Sequence, residues 1–99
     1  MIRKLESKSL DQLLKTLRTL QGEITTHVDL EDDARVDDLS REYEMARDLL
    51  LEFQPSDYDS FCKKYDFLEL ILIQSQEQPE LVKRIFDVIR KDVKVLSQP

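Results

Sequence analysis

Residues 10–24, with the sequence LDQLLKTLRTLQGEI, have leucine or isoleucine at positions 10, 13, 17, 20 and 24. The intervals alternate between three and four residues, which lines one side of an α-helix with apolar side chains. Such a stripe has to be buried against another element. The stretch therefore predicts an amphipathic helix that needs packing partners from the rest of the chain.

Three further segments repeat this spacing. Their stripes are Val36, Leu39, Tyr43, Ala46, Leu50 and Phe53 in the second segment, Tyr58, Phe61, Tyr65, Leu68 and Leu72 in the third, and Val82, Phe86, Ile89, Val93 and Leu96 in the fourth. Four amphipathic helices can bury their stripes against one another. We therefore expect one all-α domain over 1–99, a small antiparallel (up-down-up-down) four-helix bundle.

Helix one contains the only glycine of the chain. Gly22 costs about 1 kcal/mol relative to alanine inside a helix, and the β-branched Thr25, Thr26 and Val28 follow it. Branched side chains lose rotational freedom in a helix. We therefore expect helix one to weaken or end between 22 and 28.

Prolines mark the two later connections. Pro55 stops helix two because the residue before a proline is pushed out of the helical region, and Pro79 suits the first turn of helix four. The connections at 54–57 and 75–79 are short, so helices two and three, and helices three and four, are expected to be antiparallel neighbours. One alternative stays open, because 67–73 is rich in strand-favouring residues, although no other segment reads as its partner strand.

The sequence lacks the residue patterns of common catalytic and metal sites. His27 is the only histidine and Cys62 the only cysteine, whereas zinc sites need four ligands and di-iron bundles need paired Glu-x-x-His motifs. Phosphate-binding loops need several glycines. An enzyme that uses carboxylates as acid and base would need clustered basic groups to hold an anionic substrate. We therefore expect no enzymatic activity, no metal and no cofactor.

Composition also predicts the compartment. A single cysteine and the absence of a secretory signal pattern favour a reducing cytoplasmic or nuclear environment over secretion. No apolar run approaches the roughly 20 residues that span a bilayer, so we expect no membrane partner.

Acidic residues concentrate in the middle of the chain. Residues 21–60 carry thirteen acidic and three basic side chains, in a chain of net charge -6. Nucleic acid repels such a surface, so we expect no direct nucleic-acid binding. The expected acidic docking face on helix two consists of Asp37, Asp38, Glu42, Glu44, Asp48 and Glu52.

A second apolar stripe predicts a binding surface. Phe67, Leu70 and Ile73 lie opposite the helix-three stripe, and Met45 and Leu49 lie outside the helix-two stripe. A helix that is apolar on both sides is either central in its own domain or covered by another chain. We expect these five residues to bind a protein; if neighbouring helices wrap helix three completely, they belong to the core instead.

The sequence thus favours a non-enzymatic helical protein-interaction module, such as an adaptor, a regulator or a complex subunit. Its partner is expected to be a basic protein or a second copy of the chain, docked on the helix-three stripe with the acidic residues as a rim. The alternative is an acidic inhibitor that mimics nucleic acid and blocks a basic groove on its partner.

Overall fold

The computed structural model describes residues 2–97, with side chains from Leu10 onward. Residues 2–97 form four helices, α1 (Ile2–Asp29), α2 (Asp33–Glu52), α3 (Tyr58–Gln74) and α4 (Pro79–Leu96). This confirms the all-α four-helix class. The described residues contain no strand, and 67–73 lies within α3, so the β-strand alternative does not hold. Within the same range, no helix is both long enough and apolar enough to cross a membrane.

The expected weakening of α1 at Gly22 is wrong, because the helix continues to Asp29. The hydroxyl groups of Thr25 and Thr26 donate to the carbonyls four residues earlier, both at 3.0 Å, so these side chains bond within the helix. Leu20 on the preceding turn is buried in the core. Tertiary packing of the apolar face therefore outweighs the low helix propensity of this stretch.

α1 ends where Glu31 adopts a positive φ of 57°. The Glu31 amide donates to the Val28 carbonyl and the Asp32 amide donates to the His27 carbonyl, both at 3.0 Å. This is the bond pattern of a Schellman motif, in which glycine usually takes the left-handed position. Asp32 also starts α2, since its side chain accepts a bond from the Arg35 amide at 3.3 Å.

The helices pack as two hairpins, α1–α2 and α3–α4, laid against each other. α1 packs along α2 and against α3, and α4 packs against α3 and α2. Lys63 bonds to Asp11 at 3.2 Å and Gln21 bonds to Gln74 at 3.0 Å, so α1 and α3 run in the same direction. α2 and α3 do not pack extensively, and the expectation that they are direct neighbours is wrong. The connection through Pro55 leads the chain to the opposite corner of the bundle.

The predicted stripes of α1 and α2 supply much of the core. Buried apolar side chains in these helices are Leu10, Leu14, Leu17, Leu20, Leu39, Ala46, Leu50 and Leu51, and those in α3 and α4 are Phe67, Leu68, Ile71, Leu81 and Ile85. Leucines therefore dominate the α1–α2 half, as the heptad spacing predicts.

The predicted stripes of α3 and α4 are wrong by about one residue. The buried face of α3 carries Ser60, Lys64, Phe67, Leu68 and Ile71, and that of α4 carries Leu81, Ile85 and Asp92. Tyr58, Tyr65, Phe86 and Val93, which we expected in the core, are exposed. Both buried faces repeat the heptad spacing, but a charged residue occupies one position in each. In both helices the neighbouring face has no charged residue, so a prediction based on apolar residues alone chooses that face as the core.

Replacing Gly22 by alanine should raise the free energy of unfolding by about 0.5–1 kcal/mol, because alanine loses less backbone entropy in a helix. A Cβ added there would meet no described atom within 4 Å. Urea unfolding measures the change, with Ala34→Gly at an exposed position of α2 as a control that should lose stability, by a smaller amount because it lies in the first turn of the helix. An unchanged or lowered stability for Gly22→Ala would show that another group occupies this space.

Candidate functional site

Lys64 is buried in the centre of the bundle, where only 1% of its surface is exposed. Its Nζ donates to Asp92 Oδ2 at 2.7 Å and to the carbonyls of Leu51 at 3.2 Å and Phe53 at 2.5 Å. These three acceptors match the three donors of an ammonium group. Lys64 thus joins α4 to the end of α2.

Pro55 explains why the end of α2 needs this lysine. The carbonyl of Leu51 would ordinarily accept a bond from the amide four residues later, but proline has no amide hydrogen. A buried carbonyl without a donor costs about 1–3 kcal/mol. Lys64 supplies the missing donor from α3.

Burial lowers the pKa of Lys64 from its ordinary value of 10.5, because the charged form loses its water. The hydrogen bond and the negative charge of Asp92 oppose this change. Side-chain exposure of 1% for Lys64 and 3% for Asp92 leaves no path for a substrate. The pair therefore joins α3 to α4 in the interior of the bundle.

Removing one partner of this pair should be costly. Lys64→Met leaves Asp92 buried without its counter-charge, which destabilises by about 3–5 kcal/mol. Asp92→Leu should cost much less in the Lys64→Met protein than in the wild type, because the interaction is already lost. The double variant should remain less stable than the wild type, since the two α2 carbonyls still lack a donor.

Urea unfolding of the four proteins measures this coupling, in a Gly22→Ala background if the single variants are too unstable. Lys63→Met is the matched control; Lys63 pairs with Asp11 at the surface, and its loss should cost no more than about 1 kcal/mol. Additive effects of Lys64→Met and Asp92→Leu would contradict a direct interaction.

The same pair predicts an alkaline pH dependence. The folded-state pKa of Lys64 lies below 10.5, so up to that pH the unfolded chain binds more protons and this lysine makes the free energy of unfolding rise with pH. Burial raises the pKa of Tyr43, whose ordinary value is 10.0, which makes stability fall as the pH rises above 10. The wild type and the double variant Lys64→Met/Asp92→Leu both contain Tyr43, so its effect cancels when the two are compared. The free energy of unfolding of the wild type minus that of the double variant should therefore increase with alkaline pH. A constant difference would exclude the lowered pKa.

The residues beside Lys64 show how α3 is oriented. Lys63 bonds to Asp11 of α1, so its side of α3 faces α1. Tyr65 lies two residues later, about 200° round the helix, and faces away from α1. Because α3 packs against α1 and α4, Tyr65 lies on the α4 side of α3.

Similar reasoning orients α4. Arg84 bonds to Asp48 of α2 at 3.0 Å, so its side of α4 faces α2. Phe86 lies two residues later and faces away from α2, toward α3. Helical geometry therefore places the rows that contain Tyr65 and Phe86 on adjoining sides of α3 and α4, which pack against each other.

We call these two rows the α3–α4 apolar surface. It consists of Tyr58, Phe61, Tyr65 and Leu72 from α3 and Val82, Phe86, Ile89 and Val93 from α4. Tyr58 is 74% exposed and Phe86 is 52% exposed. The ring centroids of Tyr58 and Phe61 are 6.4 Å apart and those of Phe61 and Tyr65 are 6.1 Å apart, within the usual range for aromatic pairs. The surface therefore begins with a continuous row of aromatic rings on α3.

The five expected partner-binding residues do not form one surface. Phe67 is only 2% exposed and belongs to the core, so its assignment to a binding surface is wrong. The buried face of α3 is centred near Lys64 rather than on the predicted stripe, and it therefore includes Phe67. Leu70 and Ile73 are exposed on α3, and Met45 and Leu49 are exposed on α2. The two exposed pairs lie on helices that do not pack extensively.

The six expected acidic residues all lie on α2, and all have solvent access. Asp48 bonds to Arg84 and lies 3.6 Å from Arg47, whereas the other five form no ion pair with any described residue. Helical geometry places Met45 and Leu49 among Asp38, Glu42 and Glu52 on the outer side of α2. An acidic rim is therefore present around this small apolar pair.

His27 and Tyr43 each contact a polar side chain of a neighbouring segment. His27 Nδ1 lies 3.7 Å from Asp32 Oδ2 at the α1–α2 turn, and the Tyr43 hydroxyl accepts a bond from Gln21 at 3.0 Å. Among the described side chains, no three His, Cys, Asp or Glu residues cluster as a metal site would require.

Sequence reasoning placed the α3–α4 apolar surface inside the bundle. The signal that could have corrected this is the second heptad series in each helix, at 60, 64, 67 and 71 in α3 and at 81, 85, 88 and 92 in α4. Comparison with family models, curated proteins and solved structures gives no match for this chain. Its function therefore has to be argued from these surfaces.

Proposed function

We propose that the protein is a non-enzymatic helical interaction module that docks another protein chain on the α3–α4 apolar surface. The observation that carries this proposal is the exposure of Phe86, at 52%, in the middle of an apolar row on α4. Large contiguous apolar patches on a protein surface mark interaction sites. Aromatic residues at the centre of a patch are typical of protein interfaces.

The energy available at this surface is sufficient for association. Tyr58, Phe86 and Val93 would lose solvent exposure on docking, and each fully buried side chain contributes about 1.5–3 kcal/mol to the free energy of association. The half-buried Phe61 and Leu72 contribute a smaller amount. Association itself costs several kcal/mol in lost freedom. The surface therefore supports a specific but moderate affinity.

The surface is also better supported than the two pairs expected from sequence. Leu70 with Ile73, and Met45 with Leu49, each expose only two apolar side chains. The α3–α4 apolar surface exposes four such side chains, Tyr58, Tyr65, Phe86 and Val93, and adds four half-buried ones from the same two helices. Docking depends on contiguous buried area, which favours the larger surface.

A second candidate function is an acidic inhibitor that mimics nucleic acid. The observation in its favour is the set of five acidic side chains on α2 that form no ion pair with described residues. Such binding weakens steeply with salt because exposed charges are screened. Docking on the α3–α4 apolar surface predicts only a shallow salt dependence.

Photo-crosslinking tests the proposal. Benzoylphenylalanine in place of Phe86 should give a defined protein adduct in cells that naturally express the chain, and Val93→Asp should remove it while the helical circular-dichroism signal remains. Ile73, which is 61% exposed on another side of α3, gives the matched control position. Equal adducts at both positions, or none at Phe86, would contradict docking on this surface. If benzoylphenylalanine in place of Glu44 gave the only adduct, and high salt removed that adduct, the result would support the acidic inhibitor instead.

A further inference from the structure

We infer that the chain docked on the α3–α4 apolar surface is a second copy of this protein, related by a twofold axis that runs parallel to α3 and α4. This inference rests on the proposed function and names its partner. It depends on the charges at the two edges of the surface and on the size of the surface.

The two edges carry opposite charge. On α3, Glu69 lies just beyond the row of Tyr65 and Leu72, and on α4, Lys83 and Arg90 lie just beyond the row of Phe86. All three charged side chains are exposed and none is in an ion pair with a described residue. The surface is therefore bounded by an acidic edge on α3 and a basic edge on α4.

Charges farther from the surface follow the same division. Asp59 and Asp66 are exposed on α3, and Lys94 is exposed on α4. Glu80 and Asp87 are the exceptions on α4, but helical geometry places both beyond Lys83, toward α2. Lys63 and Arg84 already pair with Asp11 and Asp48.

Opposite edges select the kind of partner. A wholly basic chain would be repelled by Lys83 and Arg90, and a wholly acidic chain by Glu69. A suitable partner has an apolar centre with one acidic and one basic edge. A second copy of this chain supplies such a surface.

The direction of the twofold axis follows from these charges. An axis parallel to the helices places α3 of one copy over α4 of the other, so each Glu69 approaches Lys83 and Arg90 of the second copy. An axis perpendicular to the helices places α3 over α3 and opposes like charges. A twofold interface uses the same patch on both copies, so the favourable contact forms twice.

The size of the surface predicts the strength of the dimer. α3 has 17 residues and α4 has 18, so each helix is about 26 Å long and the pair is about 20 Å wide. Two such faces bury roughly 1,000 Å² in total, at the lower end for specific interfaces. We therefore expect a reversible dimer with a dissociation constant in the micromolar range, on the order of 1–100 μM.

Sedimentation equilibrium of the full chain tests the dimer directly, over concentrations from about 1 to about 500 μM. The wild type should pass from monomer to dimer, and Phe86→Asp should remain monomeric with an unchanged circular-dichroism spectrum. Ile73→Asp is the matched control and should dimerise like the wild type. A wild type that stays monomeric throughout would overturn the inference of a second copy, whereas the crosslinking result at Phe86 would still decide the proposed function.

Charge reversal tests the geometry. Glu69→Lys makes both edges basic and Lys83→Glu/Arg90→Glu makes both edges acidic, so each protein alone should dimerise about tenfold or more weakly than the wild type. Mixed together, they should form a heterodimer with nearly the wild-type affinity, because every acidic edge then meets a basic one. Homodimers of undiminished strength, or a mixture that does not associate, would overturn the proposed arrangement. Retained dimerisation of Phe86→Asp would place the dimer contact on another surface and would overturn the inference, whereas crosslinking at Phe86 would still decide whether a chain docks on the α3–α4 apolar surface.

Discussion

The ammonium group of Lys64 is the contact on which the arrangement of the last three helices depends. It bonds at once to the carboxylate of Asp92 in α4 and to two carbonyls at the end of α2. Those carbonyls have no helical donor, and Pro55 removes the amide that would serve Leu51. A single buried charge thus compensates for a proline in one helix and fixes the position of another.

This contact also determines which residues remain outside. With Lys64 and Asp92 in the centre, the next residues in sequence, Tyr65 and Val93, turn to the outer edge of the hairpin. Apolar side chains that a regular bundle would bury are therefore left exposed. The candidate docking surface is a consequence of placing a polar pair in the core, since each helix has only one face to bury. Buried ion pairs add little net stability, so positioning is the main effect of this one.

The two halves of the bundle differ in how well sequence reasoning describes them. In α1 and α2, no charged residue occupies a predicted heptad position, and leucines of both stripes, such as Leu17 and Leu50, are buried as predicted. In α3 and α4, the true heptad series contains Lys64 and Asp92, and hydrophobicity favours the adjacent series. The error at Phe67 has the same origin, because this residue lies on the face that Lys64 occupies.

The sequence by itself determined the number of helices and the boundaries at Pro55 and Pro79, because periodicity and proline act locally along the chain. It also indicated that the apolar residues of α3 exceed what one face of that helix can bury. Only the tertiary structure decided which face that was. The choice depends on Lys64 meeting Asp92, 28 residues away, and on α3 packing beside α1 rather than α2. Contacts between distant segments leave no periodic signal in the sequence, so folding had to bring them together before the exposed surface was defined.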